Sequence, residues 1–166
     1  MEARARLLGH SVHQMLIVFP LGLLATAVVF DLVYFGTDNA LFAVVAFWML
    51  IAGVVGGLLA APFGLVDWLA IPRGTRAWRV GAVHGAGNLI VTLLFVASAW
   101  LRYGRATDAP DAAYVCSFAG VLLALVTGWL GGELVTRLGV GVHEGANVDA
   151  SSSVGHSTPV VRSTAP

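Results

Sequence analysis

Four long apolar stretches alternate with three short polar ones along this chain. They cover residues 12–35, 41–66, 82–103 and 113–135. Each matches or exceeds the roughly 20 apolar residues a helix needs to cross the hydrocarbon core of a bilayer, so each is predicted to be a transmembrane helix. The polar links fall at 36–39, 67–81 and 104–111. Links this short make successive helices antiparallel neighbours. The pattern therefore predicts an all-α protein, an integral membrane four-helix bundle. Pro20, Gly22 and Asp31 interrupt the first stretch, and Pro20 predicts a kink there. Ala25-Thr26-Ala27 resembles a signal-peptide cleavage site, but the apolar run continues past it.

Composition strengthens the membrane assignment. Of 166 residues, 58% are apolar and 11% charged, against about a quarter charged in ordinary soluble domains. Mean hydropathy is +0.85. A soluble domain of this size leaves too much surface exposed to hide that apolar content. Nine basic residues, all Arg, balance nine acidic ones, so charge makes no case for nucleic acid as a partner. The single Cys116 cannot form an internal disulfide and reads as a small core residue.

Arginine placement sets the expected orientation, because cytoplasmic segments carry the excess of positive charge. Arg4, Arg6, Arg73, Arg76, Arg79, Arg137 and Arg162 lie on the side shared by both termini and the second link. Arg102 and Arg105 lie on the other side, offset by Asp108 and Asp111. Both termini are expected in the cytoplasm, in a bacterial inner (plasma) membrane. The expected organisation is a cytoplasmic N-terminal segment (1–11), a transmembrane domain (12–144) and a disordered Ser-, Thr-, Ala- and Gly-rich tail (145–166) that includes His156. Small-xxx-small spacings at Gly53, Gly57 and Ala61, at Gly81 and Gly85, and at Gly128 and Gly132 predict close helix packing.

Ionisable groups at membrane depth are costly, which makes each a functional candidate. The antiparallel topology brings several towards one membrane face: His10 and His13, Asp67, His84 with Asn88, Glu133, and His143. His84, Asn88 and Thr92 repeat at i, i+4 and i+8, a polar stripe expected to face the bundle interior. His13 and His84 enter at similar depth from facing helices, as axial ligands of a haem iron do. A haem b electron-transfer protein is one expectation. His13 and His84 would be the iron ligands, with His10 as a substitute and Asn88 beside them. Asp67, Glu133 and His143 would form the surrounding shell or a proton path towards a quinone. A metal-binding protein is the second: His10, His13, His84, Asp67 and Glu133 offer a donor set suited to zinc, iron or manganese. A non-catalytic assembly subunit is the third. None is an enzyme on its own. Each residue also has a plain structural reading: Glu133 paired with Arg137, Asp67 with Arg73 or Arg76, and Asp31 with Arg102 or Arg105. Expected partners are the lipid bilayer and a quinone or redox protein, with homo-oligomers left open.

Several segments together resemble a bacterial membrane family. They are Gly9-His10-Ser11-Val12-His13-Gln14-Met15-Leu16 with Phe19-Pro20-Leu21-Gly22-Leu23, then Gly64-Leu65-Val66-Asp67-Trp68, then His84-Gly85-Ala86-Gly87-Asn88. Gly131-Gly132-Glu133-Leu134-Val135 and Gly139-Val140-Gly141-Val142 complete the set. The chain is similar over this length to the family catalogued as domain of unknown function 2231. It departs at Gln14, where the family tends to have Pro, and at Thr136, where it tends to have Tyr. The resemblance implies a compact four-helix membrane protein. Some relatives are joined to Rieske-type modules, which implies redox chemistry. This chain has no Cys-rich segment to hold such a cluster.

Overall fold

The structure, a computed structural model, describes residues 1–154. The first span consists of α1 (Val12–Leu16) and α2 (Val18–Thr37). The others are α3 (Ala40–Leu69), α4 (Arg76–Arg102) and α5 (Asp111–Thr136). All four spans are long and apolar enough to cross a membrane. The predicted all-α four-helix architecture is the one observed. Among the described residues the only strands are β1 (Arg6–Leu7) and β2 (His10–Ser11), a minimal hairpin ahead of the first span. Its turn carries Leu8 and Gly9 at positive φ.

The first span is broken at Ile17 rather than continuous. Pro20 has no N–H to donate to the Leu16 carbonyl, and its ring crowds that oxygen. Neighbouring bonds from Ile17 to His13 and from Leu21 to Ile17 survive at 3.0 and 3.1 Å, so the break is local. The third span starts six residues earlier than its hydropathy suggests. The Thr75 hydroxyl caps it by accepting the Trp78 N–H at 3.1 Å, a favoured N-terminal arrangement. The link between α3 and α4 shrinks to 70–75, and Asp67 lies in the last turn of α3.

Each helix packs most closely on its sequence neighbour, so the bundle consists of two helical hairpins, α2–α3 and α4–α5, set side by side. Leu50, Val54, Phe95 and Ala99 are at the centre of the core. Gly53 lies under Leu24, Gly120 under Phe95 and Gly81 under Trp68, and a Cβ at any of them would fall 2.6–2.9 Å from its neighbour. These glycines let the helices close up. Gly85, Gly128 and Gly132 do not pack as predicted, since each faces open space. They lie on the outer face with Leu89, Leu125 and Trp129, which are exposed within the chain as lipid-facing side chains are.

The ends differ in chemistry. At the end away from the termini, Asp31 and Arg102 are both fully buried and joined by two bonds of 2.6 and 2.7 Å. Ser98 and Ser117 accept further guanidinium N–H groups, and the Tyr114 ring lies 4.5 Å beneath Arg102. Arg105 takes no part: it donates to the Leu101 carbonyl of its own helix. At the other end the terminal segments meet. The Met1 ammonium donates to the Gly139 carbonyl, and the Gly141 N–H donates to the Met1 carbonyl, each at 2.9 Å. Residues 145–154 form exposed turns without helix or strand. The rest of the expected tail, with His156 and Arg162, lies outside the described residues.

Candidate functional site

His13 is on α1, just before the break at Ile17. Its Nδ1 lies 3.0 Å from the Ala60 carbonyl of α3. Its ring packs over Gly64, where a Cβ would fall 2.7 Å from Cε1. His84 is on α4, and its Nδ1 lies 2.9 Å from the Thr127 carbonyl of α5. Its ring covers Gly131, with only 3.1 Å left for a Cβ. A carbonyl can only accept, so each contact requires Nδ1 to carry the proton. In its neutral form each imidazole is thereby the Nδ1–H tautomer, with the lone pair on Nε2.

A second layer surrounds His84 alone. The Asn88 side-chain N–H donates to His84 Nε2 at 3.1 Å, and the Thr127 hydroxyl donates to Asn88 Oδ1 at 3.0 Å. His84, Asn88 and Thr127 thus close a ring of hydrogen bonds between α4 and α5. Of the predicted stripe, Thr92 turns back to the Asn88 carbonyl of its own helix. Both imidazoles lie towards the end of the bundle that carries the termini, and His84 is within electrostatic range of His13.

The remaining candidates share that end of the molecule but not that site. Asp67 is buried and anchors the N-terminal arm: Oδ1 accepts the Arg4 and Ala5 backbone N–H groups at 2.7 and 3.1 Å, and Oδ2 accepts from Ser11 at 3.4 Å. Neither Arg73 nor Arg76 is its partner. Glu133 pairs across helices with Arg76 at 2.6 Å rather than with Arg137 on its own helix. His10 is exposed in the β-hairpin, with Nδ1 3.1 Å from the Leu8 carbonyl. His143 is exposed after α5 and lies 3.3 Å from Glu2. Among the described residues no three His, Cys, Asp or Glu side chains come together to hold a metal ion. The expected five-residue metal set is therefore not assembled, because Asp67 and Glu133 are committed elsewhere and His10 is held in the hairpin.

Thr127 carries no signal in the sequence that marks it for a site. A threonine deep in a span is ordinary, and only the α4–α5 contact gives it a role. Of the two departures from the family pattern, Gln14 packs against Gly141, where a Cβ would fall 2.6 Å from its Nε2 and where φ is +80°. Thr136 bonds only to the Gly132 carbonyl of its own helix.

No curated protein and no solved structure matches this chain. The family model described as "Predicted membrane protein (DUF2231)" matches residues 9–144. That range holds all four spans and both tethered imidazoles, and the chain belongs to this family of membrane proteins.

Proposed function

We propose that the protein is a membrane haem b protein that carries electrons, with His13 and His84 as the two iron ligands. The observation that supports this reading is the matched tethering of the two imidazoles. A histidine that ligates iron usually gives its other ring N–H to a carbonyl or carboxylate, which fixes its tautomer and orientation. Both rings have this arrangement, with Nδ1 on a backbone carbonyl and a lone pair at Nε2. The donor count points the same way. A structural zinc takes four protein ligands, whereas a haem brings four nitrogens and asks the protein for two.

Haem b, when bound, supplies one-electron chemistry at its iron. The chain's own residues hold and orient it. Ala60 and Thr127 aim the imidazoles, and Gly64 and Gly131 leave room for the rings. Asn88 covers Nε2 of His84 and has to rotate aside for ligation, after which its amide is free to bond a cofactor edge. Asp67, tied to the N-terminal arm, acts on the site only by holding that arm in place. With the termini in the cytoplasm, the site lies towards the cytoplasmic leaflet of the inner membrane. Its electrons would pass to or from a quinone or a redox partner protein. The protein is on this reading an electron-transfer subunit rather than a complete enzyme.

The test is an absorption spectrum of the detergent-purified protein, made with ample haem, oxidised and then reduced. A sharp reduced α-band with a shifted Soret peak is the expected result, and His84→Ala should remove it. A featureless spectrum from folded, haem-supplied protein would defeat the proposal.

A further inference from the structure

The two helical hairpins repeat one another residue by residue. Asp31 and Arg102 are 71 residues apart, and the same step carries His13 onto His84 and Leu24 onto Phe95. In the second helix of each hairpin the step is 67, which carries Gly53 onto Gly120, Ala60 onto Thr127 and Gly64 onto Gly131. Contacts repeat with the positions. Leu24 covers Gly53 as Phe95 covers Gly120, and His13 covers Gly64 as His84 covers Gly131. His13 bonds the Ala60 carbonyl as His84 bonds the Thr127 carbonyl. Burial repeats as well: Ala46 and Ala113 are both fully buried, as are Leu50 and Ser117, and Asp67 and Leu134 match within one per cent. The residues themselves preserve a trace, in Ile51-Ala52-Gly53-Val54 against Phe118-Ala119-Gly120-Val121 and Val12-His13 against Val83-His84.

Both hairpins begin at the same end of the bundle, so the operation that relates them is a two-fold rotation about the membrane normal. Parallel repeats of this kind are a known way of building membrane bundles. The ion pair locates the axis. Asp31 and Arg102 are equivalent positions and touch each other, and a position can touch its own equivalent only at the axis. His13 and His84, as an equivalent pair at the end of the bundle that carries the termini, lie on opposite sides of that axis.

We infer that the chain is a tandem duplication of one helical hairpin, and that its two halves share a single ligand site astride the pseudo-two-fold axis, with His13 and His84 each giving one Nε2 donor. The inference deepens the haem proposal and rests on it for the ligand: a haem would ask the protein for two donors, and each half would supply one. The halves differ at one point. Asn88 covers Nε2 of His84, while its equivalent on the other half is Ile17 and leaves Nε2 of His13 without such a cover. The site is therefore symmetric in its donors and asymmetric in its gate.

The test uses the full chain in detergent with haem b as the probe. One haem per chain is expected. His13→Ala and His84→Ala should each abolish six-coordinate binding to a similar extent, and Asn88→Ala should retain it. Two haems per chain, or one single variant that keeps the six-coordinate spectrum, would overturn the shared site. A second measurement needs no haem. In a Cys116→Ala background, the pair His13→Cys and His84→Cys should join through a short bifunctional thiol reagent. The equivalent but outward-facing pair Trp48→Cys and Val115→Cys should not. If haem is absent but the first pair still cross-links selectively, the haem proposal fails and the axial placement stands. No cross-link in folded protein, or equal cross-linking of both pairs, would overturn the axial placement itself.

Discussion

At the scale of single residues, two glycines set the positions of the imidazoles. A Cβ on Gly64 would fall 2.7 Å from the His13 ring and one on Gly131 3.1 Å from the His84 ring. Gly64→Ala should therefore displace His13 and cost about 1–3 kcal/mol, the usual range for overpacking. Gly131→Ala should be milder, since its neighbour has to yield by only a few tenths of an ångström. Thermal unfolding in detergent gives the order, and a Gly131→Ala loss as large as that of Gly64→Ala would contradict it. Asp31 presents a larger effect. With Arg102 fully buried, Asp31→Ala leaves an uncompensated charge, which costs about 3–5 kcal/mol in such settings. The expected outcome is a protein that unfolds at much lower temperature or fails to accumulate.

The imidazoles and the ion pair were visible residue by residue, because ionisable groups are rare in apolar spans. Their partners were not. Asp31 could pair with Arg102 or Arg105, and only the bundle aims Arg102 inward while Arg105 turns to the Leu101 carbonyl. Asp67 and Glu133 could join a site, and the arm and Arg76 claim them instead.

At the scale of elements, caps and one proline set the boundaries. Pro20 separates α1 from α2 and so determines how His13 approaches α3. Pro20→Ala restores a donor for the Leu16 carbonyl and should merge α1 with α2. Because His13 lies in the separated turn, its contact with the Ala60 carbonyl should be lost or lengthened. The expected readout is altered haem spectroscopy with little loss of stability, whereas an unchanged spectrum would show that the break does not position His13. The spans were legible because hydropathy depends on composition alone. The early start of α4 was hidden by Arg76 and Arg79, which belong to the interface and leave no apolar signal, although Thr75 is a recognisable cap. The close-packed glycines were only partly legible: Gly53 and Gly81 pack as their spacing suggests, while Gly128 and Gly132 face outward. Spacing identifies a small-residue face without identifying its neighbour.

At the scale of the molecule, the pseudo-two-fold arrangement carries a prediction about the buried pair. Arg102 rests among Ser98, Ser117 and Tyr114, whereas the equivalents around Asp31 are Ala27, Leu50 and Phe47. Exchanging the charges, with Asp31→Arg and Arg102→Asp together, should therefore fail to restore stability, because the relocated guanidinium finds no hydroxyls. Adding Ala27→Ser and Leu50→Ser should recover part of it. Orientation is testable in intact cells: Gly104→Cys should react with a membrane-impermeant thiol reagent, and Gly74→Cys only after lysis. The reverse pattern would place the termini outside.

Membrane residence and four antiparallel spans follow from the order of residues, because a bilayer reads length and apolarity and little else. So does the confinement of histidines to one end, since antiparallel spans return there on alternate passes. The pairing of side chains does not follow, because it depends on which helix faces which, and apolar periodicity is nearly blind to that when every face is apolar. The repeat was faint for a related reason. Its two steps, 71 and 67, differ because the second hairpin has four fewer residues between equivalent positions of its two helices, and few identical residues survive. Packing preserves the repeat where identity does not, because each position must still fill the same space against the same neighbour.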